Sequence, residues 1–218
     1  MSRLLPILAL LALAAAPRAA GAQEIAVRRL SAREVPAGVE RRGTIEAARR
    51  WRDRSGDNLL VLTRTAETQG PPNEYAEPSR QREIYVYHYV RDGAGYRLLW
   101  RTVDHVRGCD FDLTLSFVPG SLQVTDVDRD GLAETSYAYR LACRSDVSPA
   151  ALKLILHEGA TKYAVRGTGD MRQIAPGYPA PEMRMDPALT REPALRALAE
   201  RQWRRVVREG AGPEEGAP

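Results

Sequence analysis

Residues 84–90 read IYVYHYV and alternate without a break, with Tyr85, Tyr87 and Tyr89 on one side and Ile84, Val86, His88 and Val90 on the other. Period-two alternation of aromatic and β-branched residues is strand geometry and does not fit an amphipathic helix. A strand needs hydrogen-bonded neighbours, and the chain offers several. Residues 58–65 (NLLVLTRT), 96–106 (YRLLWRTVDHV), 111–118 (FDLTLSFV), 152–157 (LKLILH) and 162–166 (KYAVR) are strand-like, as are the arms SLQVT and TSYAYRLAC around an acidic loop. Turns rich in Gly, Pro and Asp separate them. About eight strands with short connections predict a mainly β fold, an antiparallel sheet or sandwich. Helical spacing returns only over residues 193–209, where Leu195, Leu198, Gln202 and Val206 share a face, with Trp203 beside it. This C-terminal helix is expected to pack on the sheet or to cap an open edge. Residues 46–54 (EAARRWRDR) read as a short helical or irregular turn, with Trp51 as core filler, and residues 67–82 as a long surface loop.

The chain ends suggest export. Arg3 supplies a positive start, residues 4–16 an apolar run, and Ala20-Gly21-Ala22 a small-residue cleavage site, which together read as a signal peptide over residues 1–22. The run is too short, and too broken by Pro6 and Pro17, to span a bilayer. A retained N-terminal anchor helix is the alternative. No cysteine stands at the cleavage point to carry a lipid. The expected location is periplasmic or extracellular. Residues 23–43 read as a poorly structured lead-in, 44–209 as a single β-rich domain with its C-terminal helix, and 210–218 as a disordered tail.

Whole-chain charge is +4, from 32 basic and 28 acidic residues. The signal segment carries Arg3 and Arg18 and no acid, which leaves 30 basic residues against 28 acidic. Such an even balance argues against nucleic acid as a partner. Lysine occurs only at Lys153 and Lys162; the other basic residues are arginine.

The two cysteines, Cys109 and Cys143, both follow the signal segment. An even count in an oxidising compartment favours a disulfide, and closing a loop of this length stabilises by about 3.8 kcal/mol in the chain-entropy model. Two buried free thiols are the alternative. Neither cysteine adjoins a histidine, so zinc binding or nucleophilic chemistry has little support.

Between the cysteines lies VTDVDRDGLAE, residues 124–134, which holds Asp126, Asp128, Asp130 and Glu134 with Gly131 directly after the third aspartate. Side chains two apart in a tight loop can turn inward together, and dense oxygen ligands suit a hard cation, calcium above others. The loop departs from an EF-hand, because Tyr137 stands where the bidentate Glu belongs and strands replace the flanking helices. The pattern D-x-D-x-D-G-x-x-(D/E) in a hairpin resembles the calcium loops of integrin-type FG-GAP blades. That resemblance implies Asp126, Asp128, Asp130 and Glu134 as side-chain ligands, with the Leu132 carbonyl adding a backbone oxygen. It covers about a dozen residues and has no second intact copy here, so no propeller is implied. The competing reading is an Asp-Gly turn whose carboxylates cap backbone N–H groups. A fainter echo, Asp53-Arg54-Ser55-Gly56 before a strand, parallels Asp128-Arg129-Asp130-Gly131.

With its flanks, roughly residues 100–167, the segment resembles an exported bacterial family linked to surface polysaccharide biosynthesis. Cys143 and Ser145-Asp146-Val147-Ser148-Pro149 are the most specific parts. The resemblance implies an envelope-associated role and transfers no catalytic residue.

Two functional classes remain. A binding or structural module would use the calcium hairpin together with Tyr85, Tyr87 and Tyr89 as a sugar-stacking face for a glycan or envelope component. A carboxylate-dependent glycan-processing enzyme would pair Glu134 with Asp112 or Asp146. His105 with Asp104 and Asp110 could form an acid–base cluster, whereas Ser148 before Pro149 reads as a turn cap. The sequence favours the module, because no G-x-S-x-G or zinc motif is present.

Overall fold

The computed structural model describes residues 25–208, so the segment expected to be a signal peptide, the expected tail and Glu209 lie outside the described residues. In chain order the strands are β1 (Arg28–Leu30), β2 (Thr44–Asp53), β3 (Gly56–Arg64), β4 (Thr68–Pro72), β5 (Pro78–Asp92) and β6 (Gly95–Cys109). Then come β7 (Asp112–Phe117), β8 (Gln123–Thr125), β9 (Glu134–Arg144), β10 (Ala151–Glu158), β11 (Thr161–Thr168) and β12 (Met183–Met185), followed by the helix α1 (Pro193–Val206). The fold is mainly β, as the strand-like runs require.

The strands form two antiparallel six-stranded sheets. The first runs β1-β2-β3-β5-β4, with β6 on the other side of β5; the second runs β12-β11-β10-β9-β7, with β8 also on β9. Between them lies an apolar layer of Trp51, Leu60, Leu62, Ile84 and Val86 from the first sheet against Leu115, Tyr137, Tyr139 and Ile155 from the second. The outer face of the second sheet (Leu152, Leu154, Leu156, Tyr163, Val165) is covered by Leu195, Leu198, Ala199, Trp203 and Val206 of α1. Buried Gln202 fixes the register of that contact by donating to Ser136 Oγ at 2.6 Å and Gln123 Oε1 at 2.6 Å. Both faces of β3 are covered, which is why its sequence is a continuous apolar run rather than an alternating one.

Four segments depart from the expectations. The EAARRWRDR stretch is strand β2, not a helical turn. Its alanines and arginines are good helix formers, but propensity is a weak prior that pairing with β3 overrides, and a register shift between Ile45 and Ala47 blurs the alternation that this pairing imposes. The expected loop over 67–82 contains β4 and the start of β5. The tandem Pro71-Pro72 is tolerated because β4 is a short edge piece pairing irregularly with β5. The lead-in is ordered where described: β1 pairs with β2, and a 3-10 turn at Ala32–Glu34 brings Val35 and Val39 into the core. The short strand β12 pairs with β11.

That last pairing depends on Gly167. A Cβ there would meet the Glu182 carbonyl oxygen well inside contact distance, its carbonyl carbon at 2.7 Å and Trp203 at 3.1 Å. Gly167→Ala is expected to push β12 off the sheet edge and to destabilise by about 2 kcal/mol through overpacking. Urea unfolding of the variant checks this, and an unchanged midpoint would contradict it.

The cysteines are bonded, with Cα atoms 5.5 Å apart. Cys109 ends β6 and Cys143 lies in β9, so the bridge ties one sheet to the other. No helix of the described residues is long and apolar enough to cross a membrane.

Candidate metal site at the acidic hairpin

The acidic loop connects β8 to β9 at one end of the sandwich. Gly131 has φ +83° and Arg129 φ +64°, so the chain makes its tight turn through left-handed conformations, the first of which glycine adopts without strain. Asp126 Oδ1 accepts from Gly131 N at 3.4 Å, Asp128 Oδ1 from Asp130 N at 3.1 Å, and Asp130 Oδ1 from Leu132 N at 2.7 Å. These bonds satisfy the turn's own N–H groups, as the metal-free reading anticipates. Asp126 and Asp128 each keep a second oxygen out of these bonds.

Oxygens of Asp126, Asp128 and Asp130 lie within 4.8 Å of one another, a set that could hold a metal ion. A second such set is Asp128, Glu134 and Glu158. Asp128 belongs to both. Glu158 arrives from the β10–β11 hairpin, directly opposite Glu134 in the ladder. Like charges in that position are destabilising unless something offsets them. Burial first, and then Asp128, Asp130 and Glu134, push the Glu158 carboxyl up to about 7. Burial likewise raises Glu134, against hydrogen bonds that lower it.

Glu134 is fully buried and clamps the loop from within. Val127 N donates to its two oxygens at 3.1 and 3.0 Å, and Thr125 Oγ1 donates at 2.9 Å. The loop is also docked against the first sheet. Arg54 N donates to the Gly131 carbonyl at 2.8 Å, and its guanidinium pairs with Asp130 at 3.0 Å. Asp53 Oδ2 accepts from Ala133 N at 3.1 Å. The two turns that echo one another in sequence therefore meet face to face. Leu132 packs toward the second hairpin, its Cδ2 lying 3.6 Å from where a Cβ on Gly159 would stand.

The tyrosines are placed otherwise than expected. Tyr85, Tyr87 and Tyr89 do stack along one face, with centroids 5.7 and 6.0 Å apart, but all three are at least 94% covered. The ordered lead-in lies over them: Val35 and Val39 pack on the rings, Arg42 N donates to Tyr87 Oη at 3.0 Å, and Tyr89 Oη donates to the Glu40 carbonyl. They are core and offer no open sugar platform.

The other chemical candidates do not assemble. Asp112 stands opposite Arg144 at the far end of β9 from Glu134, about 33 Å away at strand rise, and Asp146 lies beyond it. Asp104 faces inward and accepts from Tyr139 Oη at 2.8 Å and Lys153 Nζ at 2.5 Å, whereas its strand neighbour His105 points to the opposite, exposed side. Asp110 is exposed in the turn after β6. Ser148 lies in a turn capped by Asp146, whose Oδ1 accepts from the Ser148 N–H at 2.9 Å.

His88 and His157 are buried between the sheets on either side of Trp100, whose ring stacks on His157 at 3.7 Å. The Asn58 amide donates to the Gly56 carbonyl, which leaves its oxygen to the His88 Nε2–H at 2.9 Å.

Fold and site define a two-sheet antiparallel sandwich with an outer helix and an acidic hairpin at one end. No protein-family profile, curated protein or solved structure matches the chain.

Proposed function

We propose that the chain is an exported β-sandwich module of the bacterial envelope that works by binding rather than catalysis, with a Ca²⁺ ion fixing its acidic hairpin. The observation that carries this reading is a pair of acidic triads joined at Asp128, one with Asp126 and Asp130 and the other with Glu134 and Glu158, from two adjacent hairpins. An all-oxygen donor set of this density suits calcium, whose flexible coordination accepts irregular geometry that Mg²⁺ refuses. Arg54 partly neutralises Asp130 without the ion, and the ion would compete with it for that carboxylate. The disulfide between the sheets and the resemblance to an exported, surface-polysaccharide-linked family support an envelope setting. The glycan-processing alternative loses the partners expected for Glu134, because Asp112 and Asp146 lie at the other end of β9, and Glu158 is the carboxylate that stands beside it instead.

Calorimetric titration of the chain lacking residues 1–22 is expected to give one Ca²⁺ per chain with Kd on the order of 10⁻⁴ to 10⁻³ M. Asp128→Ala should remove the binding, since it takes away the one acid common to both sets. No heat of binding at millimolar calcium would overturn the ion. Turnover of a capsular or cell-wall polysaccharide that disappeared in Glu134→Gln or Glu158→Gln would overturn the non-catalytic reading.

A further inference from the structure

On the face of the second sheet that looks toward the first, the register aligns Phe117, Tyr139, Lys153, Arg166 and Arg184 as one row across β7, β9, β10, β11 and β12. The two aromatic members lie beneath the first sheet, with Tyr139 nine-tenths covered or more. Lys153 lies at its margin against Asp104, and Arg166 and Arg184 stand exposed beyond it. Strand β6 stands over β10, as Asp104 on Lys153, Thr102 beside His157, and Trp100 Nε1 on the Gly159 carbonyl show. Because β6 is the last strand of the first sheet on that side, the cover thins out over β11: Ala164 is still buried in the inter-sheet layer, whereas Lys162, Arg166 and Arg184 are exposed.

Three cations side by side on neighbouring strands, about 4.8 Å apart per strand, repel one another and weaken the ladder. Two have acidic partners: Lys153 has Asp104, and Arg184 has Glu182 at 2.9 Å in a pair 81% and 61% exposed. A pair that open contributes little. Arg166, between them, has no ion pair or side-chain hydrogen bond among the described residues, and neither has Lys162 on the same face of β11. Burial first, then Arg166 and Lys153, hold the Lys162 ammonium below its usual range. Both lysines of this arginine-rich chain therefore stand on one face of two adjacent strands. The face carries four cations against two carboxylates on a rigid ladder.

We propose that Arg166 and Arg184, with Lys162 beside them and Lys153 at the covered margin, bind a carboxylate-bearing polysaccharide that crosses β11 and β12 on this exposed cationic shelf. The proposal rests on the envelope-module reading and supplies the ligand class that the buried tyrosines cannot. Guanidinium forks match carboxylates in two-point geometry, and spacing by strands suits a polymer whose acids recur along it. The row runs across the strands rather than along an edge, so a ligand following it makes no main-chain pairing of the strand-addition kind, and side-chain cations alone must hold it.

The test uses the chain lacking residues 1–22 in chelator at low salt, titrated with tetragalacturonate, a neutral tetrasaccharide and tetraglutamate. The expected result is binding of tetragalacturonate alone, falling with salt, and weakened about tenfold or more by Arg166→Ala and further by adding Arg184→Ala. Arg204→Ala, an exposed change on α1, should leave it unaltered. Absence of binding, equal loss in the Arg204 variant, or tighter binding of tetraglutamate would each overturn the proposal. Calcium melts of the same variants separate the two claims. Tetragalacturonate binding without a calcium shift removes only the ion, and a calcium shift without tetragalacturonate binding removes only the shelf.

Discussion

Replacing both Cys109 and Cys143 by alanine is expected to lower the unfolding free energy by about 4 kcal/mol, the largest effect of any change considered. The bridge spans 34 positions, and in the chain-entropy model closing a loop of that length restricts the unfolded chain by this amount. Its placement adds to the expectation. The sheets otherwise meet through side-chain packing and the non-covalent contacts of Asp53, Arg54, Trp100 and Asp104, and the bridge joins them at the end opposite the acidic hairpin, where the ends of β6 and β9 come together. Guanidinium unfolding of the double variant against the oxidised wild type checks it, provided both retain the same far-ultraviolet spectrum. A difference below about 1 kcal/mol would contradict it.

The second large effect is the acid lability contributed by His88, with buried His157 acting in the same direction. Burial, against a smaller opposing influence of Asp53, lowers this imidazole from 6.5 to about 4. Trp51 and Trp100 flank the ring, with centroids 5.1 and 5.3 Å away, and its Nδ1 has no hydrogen-bond partner among the described residues. Below pH 6.5 the unfolded chain takes up a proton that the folded chain refuses until about pH 4. Stability from this site is therefore complete above pH 6.5 and is lost as pH falls to about 4. A shift of that size corresponds to about 3 kcal/mol. Glu134 and Glu158, both raised, act in the opposite direction over part of the window, so the effect is read as a difference between proteins. Urea unfolding at pH 7 and pH 4 should show His88→Gln losing about 3 kcal/mol less than wild type on acidification. Equal losses would remove His88 as the cause.

How far the fold was legible depended on whether a strand's two faces differ. The eight strands expected from the sequence are β3 and β5 to β11, and each carries an apolar run or a clean alternation. The missed strands lack that signature: β2 is half Ala and Arg with a shifted register, β4 ends in Pro-Pro, and β1 and β12 have three residues each. The alternation of β5 was legible, but alternation says only that two faces differ, not that one is wet. The tyrosine face is dry because residues 35–42 fold over it, a long-range contact with no local signal.

The acidic hairpin was legible for a local reason, since four of its five acids fall within nine positions. Glu158 was not, because it reaches Glu134 only through the pairing of β9 with β10, although its place beside Gly159 at a hairpin turn was a usable clue. Arg54 and Asp53 belong to the other sheet and become visible only once the sheets stack. The cationic row is of the same kind. Lys153, Arg166 and Arg184 are widely spaced in sequence and become neighbours through register alone.

The central claim, that the acidic hairpin holds a calcium ion, is tested most directly by four thermal melts: wild type and Asp128→Ala, each in chelator and in millimolar calcium. If the ion binds only the folded chain, calcium at about 100 times Kd stabilises the wild type by roughly 2.7 kcal/mol and raises its Tm, while the variant stays where it is in chelator. In chelator the two proteins should melt close together, because Asp128→Ala relieves repulsion on Glu158 as it removes the bond to Asp130 N. A wild-type Tm that does not move with calcium would contradict the account and leave the loop an acidic turn held by its own hydrogen bonds.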